Sequence, residues 1–171
     1  GIVEYCCNIP SFNQFNVCEA VRAGFPTDHV FVENDANAAA WGEAIAGAAQ
    51  GTSSSIMITL GTGVGGGIII DGKVISGFNY AGAELGHIVI EVDGRQCTCG
   101  RRGCWETYSS ATGLINMTKE KLAECEATGR KTLMAKQVAQ KGKVNGRTAF
   151  DGMRLGDAAA TEVVNEYVEY L

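Results

Sequence analysis

Proline is scarce in this sequence, with 2 in 171 residues, which excludes a proline-rich linker or polyproline segment. No apolar run approaches the roughly 20 residues that span a bilayer, so no membrane passage is expected. The first ten residues, GIVEYCCNIP, have no basic stretch leading into an apolar one, which argues against a signal peptide. Basic charge is also in deficit. Fourteen Lys and Arg against 19 Asp and Glu leave a net charge of −5, without the basic footprint of a general nucleic-acid binder. Histidine occurs twice, as His29 and His87, so any imidazole chemistry rests on one of two positions.

What is present describes a folded domain. Hydrophobic residues make up 46% of the chain and charged residues 19%, a globular composition long enough for one domain with a sizeable core. Seven cysteines are an odd number and nothing indicates secretion, so reduced thiols and a cytoplasmic location are expected. Both ends read as cut: GIVEY enters as part of a strand, and the last helix stops at Leu171 without a Gly or Asn cap. A fragment of a longer protein is expected.

Periodicity predicts a helix over 13–24, a short buried strand over 30–33, and an Ala-rich helix over 36–51 closed by Gly51. A strand over 53–60 follows. A hairpin joins 67–71 to 73–75 across Asp71-Gly72, a strong two-residue turn signal. HIVIEV, residues 87–92, alternates as a strand. Helices are expected over 105–117 and 119–127, then weaker ones, and a last helix capped by Asp157 with Val163, Val164, Tyr167, Val168 and Leu171 on one stripe. Strands followed by helices make this a mixed α/β chain.

Glycines number 23 and cluster. Residues 61–66, GTGVGG, formally match the dinucleotide-binding G-x-G-x-x-G, with Glu84 about 20 residues on. That motif has to open a helix, whereas GIIIDGKVI, which continues this one, is β-branched and ends in a hairpin. What remains is a loop whose N–H groups let backbone approach a phosphate, with the Thr62 hydroxyl beside them. Two glycines suffice for a tight turn; five in seven residues point to phosphate binding.

VENDANAAAWGE places Glu33, Asn34 and Asp35 between a strand and a helix. Asp35 suits a general base that accepts a hydroxyl proton as that oxygen attacks phosphorus. Asn and Asp are also favoured helix caps, and at least one of the pair is expected to serve as one. In CTCGRRGCWE the spacing Cys97-x-Cys99-x4-Cys104 is too tight for two disulfides. A nucleic-acid zinc ribbon would need a second cysteine pair and basic charge. Three thiolates need a fourth ligand for closed tetrahedral zinc, and His87, ten residues upstream, is the natural candidate. Cys6, Cys7, Cys18 and Cys125 read as ordinary buried or free thiols.

Taken together, VENDANAAAWGE, LGTGVGGG, GAELGH and CTCGRRGCWE, in that order, resemble the ROK family of sugar kinases and sugar-responsive repressors, and its glucokinases most of all. The resemblance implies an actin-like, ribonuclease-H-like ATPase fold of the hexokinase type, with two α/β domains closing over a cleft. Residues 1–31 would end the small N-terminal domain and hinge, and 32–171 would belong to the large C-terminal domain. It implies ATP with Mg²⁺ as phosphoryl donor and glucose as the sugar, with Asp35 as base on its 6-hydroxyl. N-acetylmannosamine or another hexose is an alternative, and so is a sugar-sensing repressor. Asn34, Asp35, Glu84, His87 and Glu106 would hold the sugar, and Gly61, Thr62, Gly63, Gly65 and Gly66 the phosphates. His87, Cys97, Cys99 and Cys104 would bind a structural zinc, and the complete protein would be a dimer. Trp41 and Ala83 depart from the family's pattern, which has a smaller aliphatic residue and Gly there. The family's Asp-x-Gly-Gly-Thr motif and its adenosine-binding segment are not among these residues, so this chain alone is not expected to catalyse efficiently.

Overall fold

In the computed structural model, which describes every residue except 5, 7 and 8, strands and helices mix as expected. At the start β1 (Ile2–Val3) pairs antiparallel with β2 (Phe15–Asn16), and α1 (Val17–Gly24) follows directly. The helix expected from residue 13 begins late for two local reasons. Gln14 lies in left-handed backbone at φ 60°, and the Asn16 side chain accepts the Glu19 N–H and caps the helix. The strand expected over 30–33 does not form. Phe31 is 90% exposed, and no strand lies beside this segment among the described residues, so its backbone has no ladder to join. Cys6, Cys18 and Cys125 are free thiols, the latter two buried, while Cys7 lies outside the described residues.

Helix α2 (Asp35–Ala46) stops at Gly47, before the expected Gly51, because the Glu43 carboxylate takes the Ala48 N–H that would extend it. Next, β3 (Ser55–Leu60), β4 (Val64–Ile70) and β5 (Lys73–Val74) form an antiparallel meander, registered from Leu60 opposite Val64 to Ser55 opposite Ile69. Asp71 and Gly72 both take positive φ, 49° and 71°, the two-residue hairpin their sequence demands. The strand expected over 87–92 is reduced to one bridge, Val89 to Cys104. Its alternating Ile88, Ile90 and Val92 stay exposed, because the partner segment is the tight cysteine loop, which turns away after one pair.

The helical half comprises α3 (Glu106–Ser109), α4 (Ala111–Thr128), α5 (Leu133–Lys141), α6 (Thr148–Arg154) and α7 (Ala158–Glu169). The break falls at Ser110, whose side chain accepts the Gly113 N–H and starts a new helix. No break separates 117 from 119: Thr118 is buried and bonds the Leu114 carbonyl, so α4 runs on to Gly129. The main core lies here, around Leu114, Met117, Met134, Val163 and Tyr167. Of the expected stripe on α7, Val163, Val164 and Tyr167 are buried, whereas Val168 and Leu171 are exposed.

Asp157 starts two helices at once. Its Oδ1 accepts the Ala159 and Ala160 N–H groups of α7, and its Oδ2 accepts the Thr132 hydroxyl and the Leu133 and Met134 N–H groups of α5. Burial alone would raise this carboxyl, but the Thr132 hydroxyl and the Leu133, Ala160 and Met134 amides together hold it below the usual carboxylate range. A carboxylate depressed in the fold stabilises it above the unfolded value of about 3.9, and that contribution is lost as pH falls through the folded value. Asp157→Ala should cost about 2–4 kcal/mol in a denaturant melt, by the loss of two caps with orphaned amides. Asp157→Asn should flatten the acid limb of stability against pH.

Candidate functional site

The start of β4 is where the site is assembled. An added Cβ on Gly67 would lie 2.5 Å from the Ala40 Cβ and 2.7 Å from the Ala36 carbonyl oxygen, and one on Gly65 would lie 3.1 Å from the Ala36 Cβ. On the opposite face, a Cβ on Gly66 would meet the Leu85 side chain at 2.5 Å and the Ala83 carbonyl at 2.7 Å. Alternation along the strand thus lets α2 approach one face and the 83–86 segment the other. Gly65 and Gly66, expected at the phosphates, are strand residues whose bare backbone serves this packing.

Gly61 and Gly63 are the glycines of the turn, and neither takes a positive φ. Gly63 is filled by its neighbour, since a Cβ there would run into the Glu106 carboxylate. Gly61 has no atom within 4 Å of where its Cβ would stand. Neither strain nor packing demands a glycine at 61, which leaves access from outside as the physical reason for one. The Thr62 and Gly63 N–H groups donate to no partner among the described residues. Free backbone donors beside an open glycine are the chemistry that an anion would need.

At the head of α2 the two candidate caps separate. Asn34 Oδ1 accepts the Ala36 N–H at 2.9 Å and the Asn37 N–H at 3.1 Å. Asp35 shares the Ala36 N–H through Oδ1, leaving Oδ2 without a partner among the described residues, and its side chain is exposed. Glu33, which sequence reading passed over, ties this corner together. Its Oε1 accepts the Asn34 N–H and the Asn37 amide, and its Oε2 the Ser76 hydroxyl at 3.4 Å. An acid directly before the Asn-Asp pair was the available signal.

Glu84 and His87 flank one 3₁₀ turn, Leu85–His87, with the His87 N–H donating to the Glu84 carbonyl. Ala83 takes φ 62°, the left-handed backbone glycine adopts freely; alanine holds it at about 1 kcal/mol. Trp41 sits half-exposed on α2.

His87 then reaches the cysteines through the Val89–Cys104 bridge, flanked by hydrogen bonds from the Ile90 N–H to the Gly103 carbonyl and from the Trp105 N–H to the Ile88 carbonyl. Gly103 makes this approach possible: its φ is 76°, and a Cβ would run into the Glu91 carbonyl.

The ligand atoms of His87, Cys97, Cys99 and Cys104 all lie within 4.8 Å of one another. His87 Nδ1 is 3.6 Å from Cys97 Sγ, and Cys99 Sγ is 3.6 Å from Cys104 Sγ. Tetrahedral zinc with bonds of roughly 2.3 Å to sulfur separates its ligand atoms by about 3.5–3.8 Å, so donor set and spacing fit a four-coordinate ion. The Arg101 backbone and then its side chain hold the Cys99 thiol down to about 6, while burial pushes Cys104 up to about 12. Arg101 thus stands beside the thiol whose anion it favours.

Glu106 follows two residues after Cys104, and its Oε2 accepts the Val64 N–H at 3.0 Å. Its helix is braced from the core: Trp105 Nε1 and the Ser109 hydroxyl donate to the Tyr170 carbonyl, and the Tyr167 hydroxyl to the Ser109 carbonyl. Arg95 pins the cysteine loop to it through its backbone N–H to the Tyr108 hydroxyl and its guanidinium to the Thr107 carbonyl, and to α4 through an ion pair with Glu120. Asp35, Glu84, His87 and Glu106 thus come from segments that each pack against β4 or the cysteine loop beside it. Carboxylates and an imidazole suit a ligand rich in hydroxyl groups, which donate to the former and accept from the latter.

A profile of the ROK family matches residues 2–171. The glucokinase of Thermotoga maritima is 36% identical over 173 residues, covering 100% of this chain and 52% of its own. The xylose repressor of Bacillus subtilis is 44% identical over 94 residues, 54% of this chain and 24% of its own. The crystal structure of a ROK family glucokinase from Streptomyces griseus, in complex with glucose and AMPPNP, superposes with a TM-score of 0.78 at 35% identity, covering 99% of this chain and 54% of that one. The chain spans about half the length of the curated relatives it matches. Its fold is that of the actin-like ATPases, of which these residues form a part. Matched from residue 2 to its last residue, the chain belongs to the ROK family.

Proposed function

We propose that the chain is the central part of an ATP-dependent hexose kinase that phosphorylates glucose at its 6-hydroxyl. The observation that carries this reading is the division of labour at the head of α2. Asn34 takes the capping bonds, and Asp35 keeps an open carboxylate oxygen. In the reaction Asp35 takes the proton of the 6-hydroxyl as its oxygen bonds to the γ-phosphorus. The bond from that phosphorus to the bridging oxygen breaks, and ADP leaves. Glu84, Glu106, His87 Nε2 and the Asn34 amide nitrogen hold the remaining hydroxyls. Beside the open Gly61, Thr62 and Gly63 offer their free N–H groups to the phosphates, whose charge Mg²⁺ bound with the nucleotide would neutralise. The resemblance to a glucokinase holding glucose and AMPPNP supports both substrates.

His87, Cys97, Cys99 and Cys104 would hold zinc, which supplies cross-linking of the loop and no part of the phosphoryl step. His87 Nδ1 faces the thiols, and its other nitrogen remains for the sugar. Residues 1–31 and 32–171 would fall in the small and large domains respectively. The likeness to the xylose repressor favours a second reading, in which the same pocket senses a sugar without turnover.

Glucose added with ATP should release ADP from the complete protein, and Asp35→Asn should remove turnover while calorimetry still detects glucose binding. Unchanged turnover in that variant would remove Asp35 as the base, and sugar binding without turnover in the wild type would favour the repressor. A substrate panel including N-acetylmannosamine ranks the hexoses. Gly61→Ala should melt like the wild type yet weaken AMPPNP binding about tenfold or more, by blocking close backbone approach; equal affinity would leave the turn without a ligand. Elemental analysis should find about one zinc per chain, from the ligand count. His87→Ala should lower both zinc content and glucose affinity, and a loss of sugar affinity with full zinc would reassign the fourth ligand.

A further inference from the structure

Seven consecutive residues, 106–112, grip the turn between β3 and β4 from one side. The Glu106 carboxylate accepts the Val64 N–H at 3.0 Å, the Ala111 N–H donates to the Gly61 carbonyl at 2.9 Å, and the Thr112 hydroxyl donates to the Thr62 carbonyl at 2.8 Å. Two of these bonds hold carbonyl groups, and that has a geometric consequence. A trans peptide is planar, so its C=O and the next residue's N–H point in opposite directions. Holding the Gly61 carbonyl against the start of α4 turns the Thr62 N–H away from it. Holding the Thr62 carbonyl does the same for the Gly63 N–H. These are the two N–H groups that have no partner among the described residues.

We infer that Thr112 is a positioning residue for nucleotide binding: with the Ala111 N–H, it aims the free N–H groups of Thr62 and Gly63 at a phosphate. The inference rests on the phosphate role of this turn proposed above. Thr112 belongs to none of the motifs that mark the site, and its side chain is exposed, with no core to fill. Its hydroxyl is its contribution. A turn held by its carbonyls keeps its donors directed before the ligand arrives, which spares the loss of freedom on binding.

Thr112→Val keeps the β-branched shape and removes the donor, whereas Thr112→Ser keeps the donor. With Mg²⁺ present, the Kd for AMPPNP measured by calorimetry should rise about fivefold in Thr112→Val, as expected for one hydrogen bond. KM for ATP should rise with it. Glucose Kd and the melting temperature should stay at wild-type values, and Thr112→Ser should restore nucleotide affinity. Wild-type AMPPNP affinity in Thr112→Val overturns this inference alone. Equal weakening in Val and Ser variants also overturns it, because shape and not the hydrogen bond would then matter. A folded wild-type protein that binds no AMPPNP overturns the phosphate reading of the turn as well.

Discussion

Everything in the site depends on how closely other segments approach the first residues of β4. A side chain of any size at Gly65, Gly66 or Gly67 would meet α2 on one face of the sheet or the 83–86 segment on the other. Close packing tolerates no such overlap without displacement of a neighbour. The strand is therefore a thin partition. The acid at the head of α2 and the Glu84–His87 turn pack against opposite faces of it, while the 61–63 turn and Glu106 meet at its end. Their mutual positions follow from backbone, which is stiffer than side chains.

A second support comes from the helical half. The Asp157 carboxylate fixes the starts of α5 and α7, and the end of α7 in turn holds α3 through the Tyr170 carbonyl and the Tyr167 hydroxyl. Helix α3 carries Glu106, and Arg95 locks the cysteine loop to the same helix. Rigidity built in an apolar core is thus carried outward to a carboxylate that touches the start of β4. The cysteine cluster sits on this path as a local cross-link. On the kinase reading, a metal there shapes the sugar pocket from outside the reacting atoms, and the arrangement needs no redox or Lewis-acid role for it.

Sequence made local chemistry legible and long-range partnership much less so. The caps at Asn34 and Asp157 are short-range devices that residue type and spacing expose, whereas those at Asn16 and Ser110 fall inside the helices expected from periodicity alone. The cysteine cluster was equally readable, because four ligand atoms of the right kind have few ways to be brought together. The segments 30–33 and 87–92 misled because β-branched alternation states a preference for a ladder without supplying the partner strand. The glycines misled differently. Five in seven suggested one purpose, yet the structure divides them: open space at Gly61, room for Glu106 at Gly63, and helix and loop approach at 65–67. Thr112 was invisible, since it acts through one hydrogen bond to a group distant in sequence, and so was the Glu33 bond to Ser76.

These observations bear on why one chain lineage can hold both sugar kinases and sugar-responsive repressors. The carboxylates and imidazole suited to hydroxyl groups lie at the head of α2, on the 84–87 turn and on α3. The free N–H groups of the turn are held through separate bonds, from Ala111 and Thr112. Glu106 touches the turn as well, with one oxygen on the Val64 N–H, and on the proposed reading the other is left for a sugar. On the proposed reading, phosphate binding is therefore separable from sugar binding by changes at a few exposed positions, without disturbing the zinc loop or the core. A sugar pocket with that construction outlives the loss of catalysis, and a sensor derived from a kinase needs little beyond that loss.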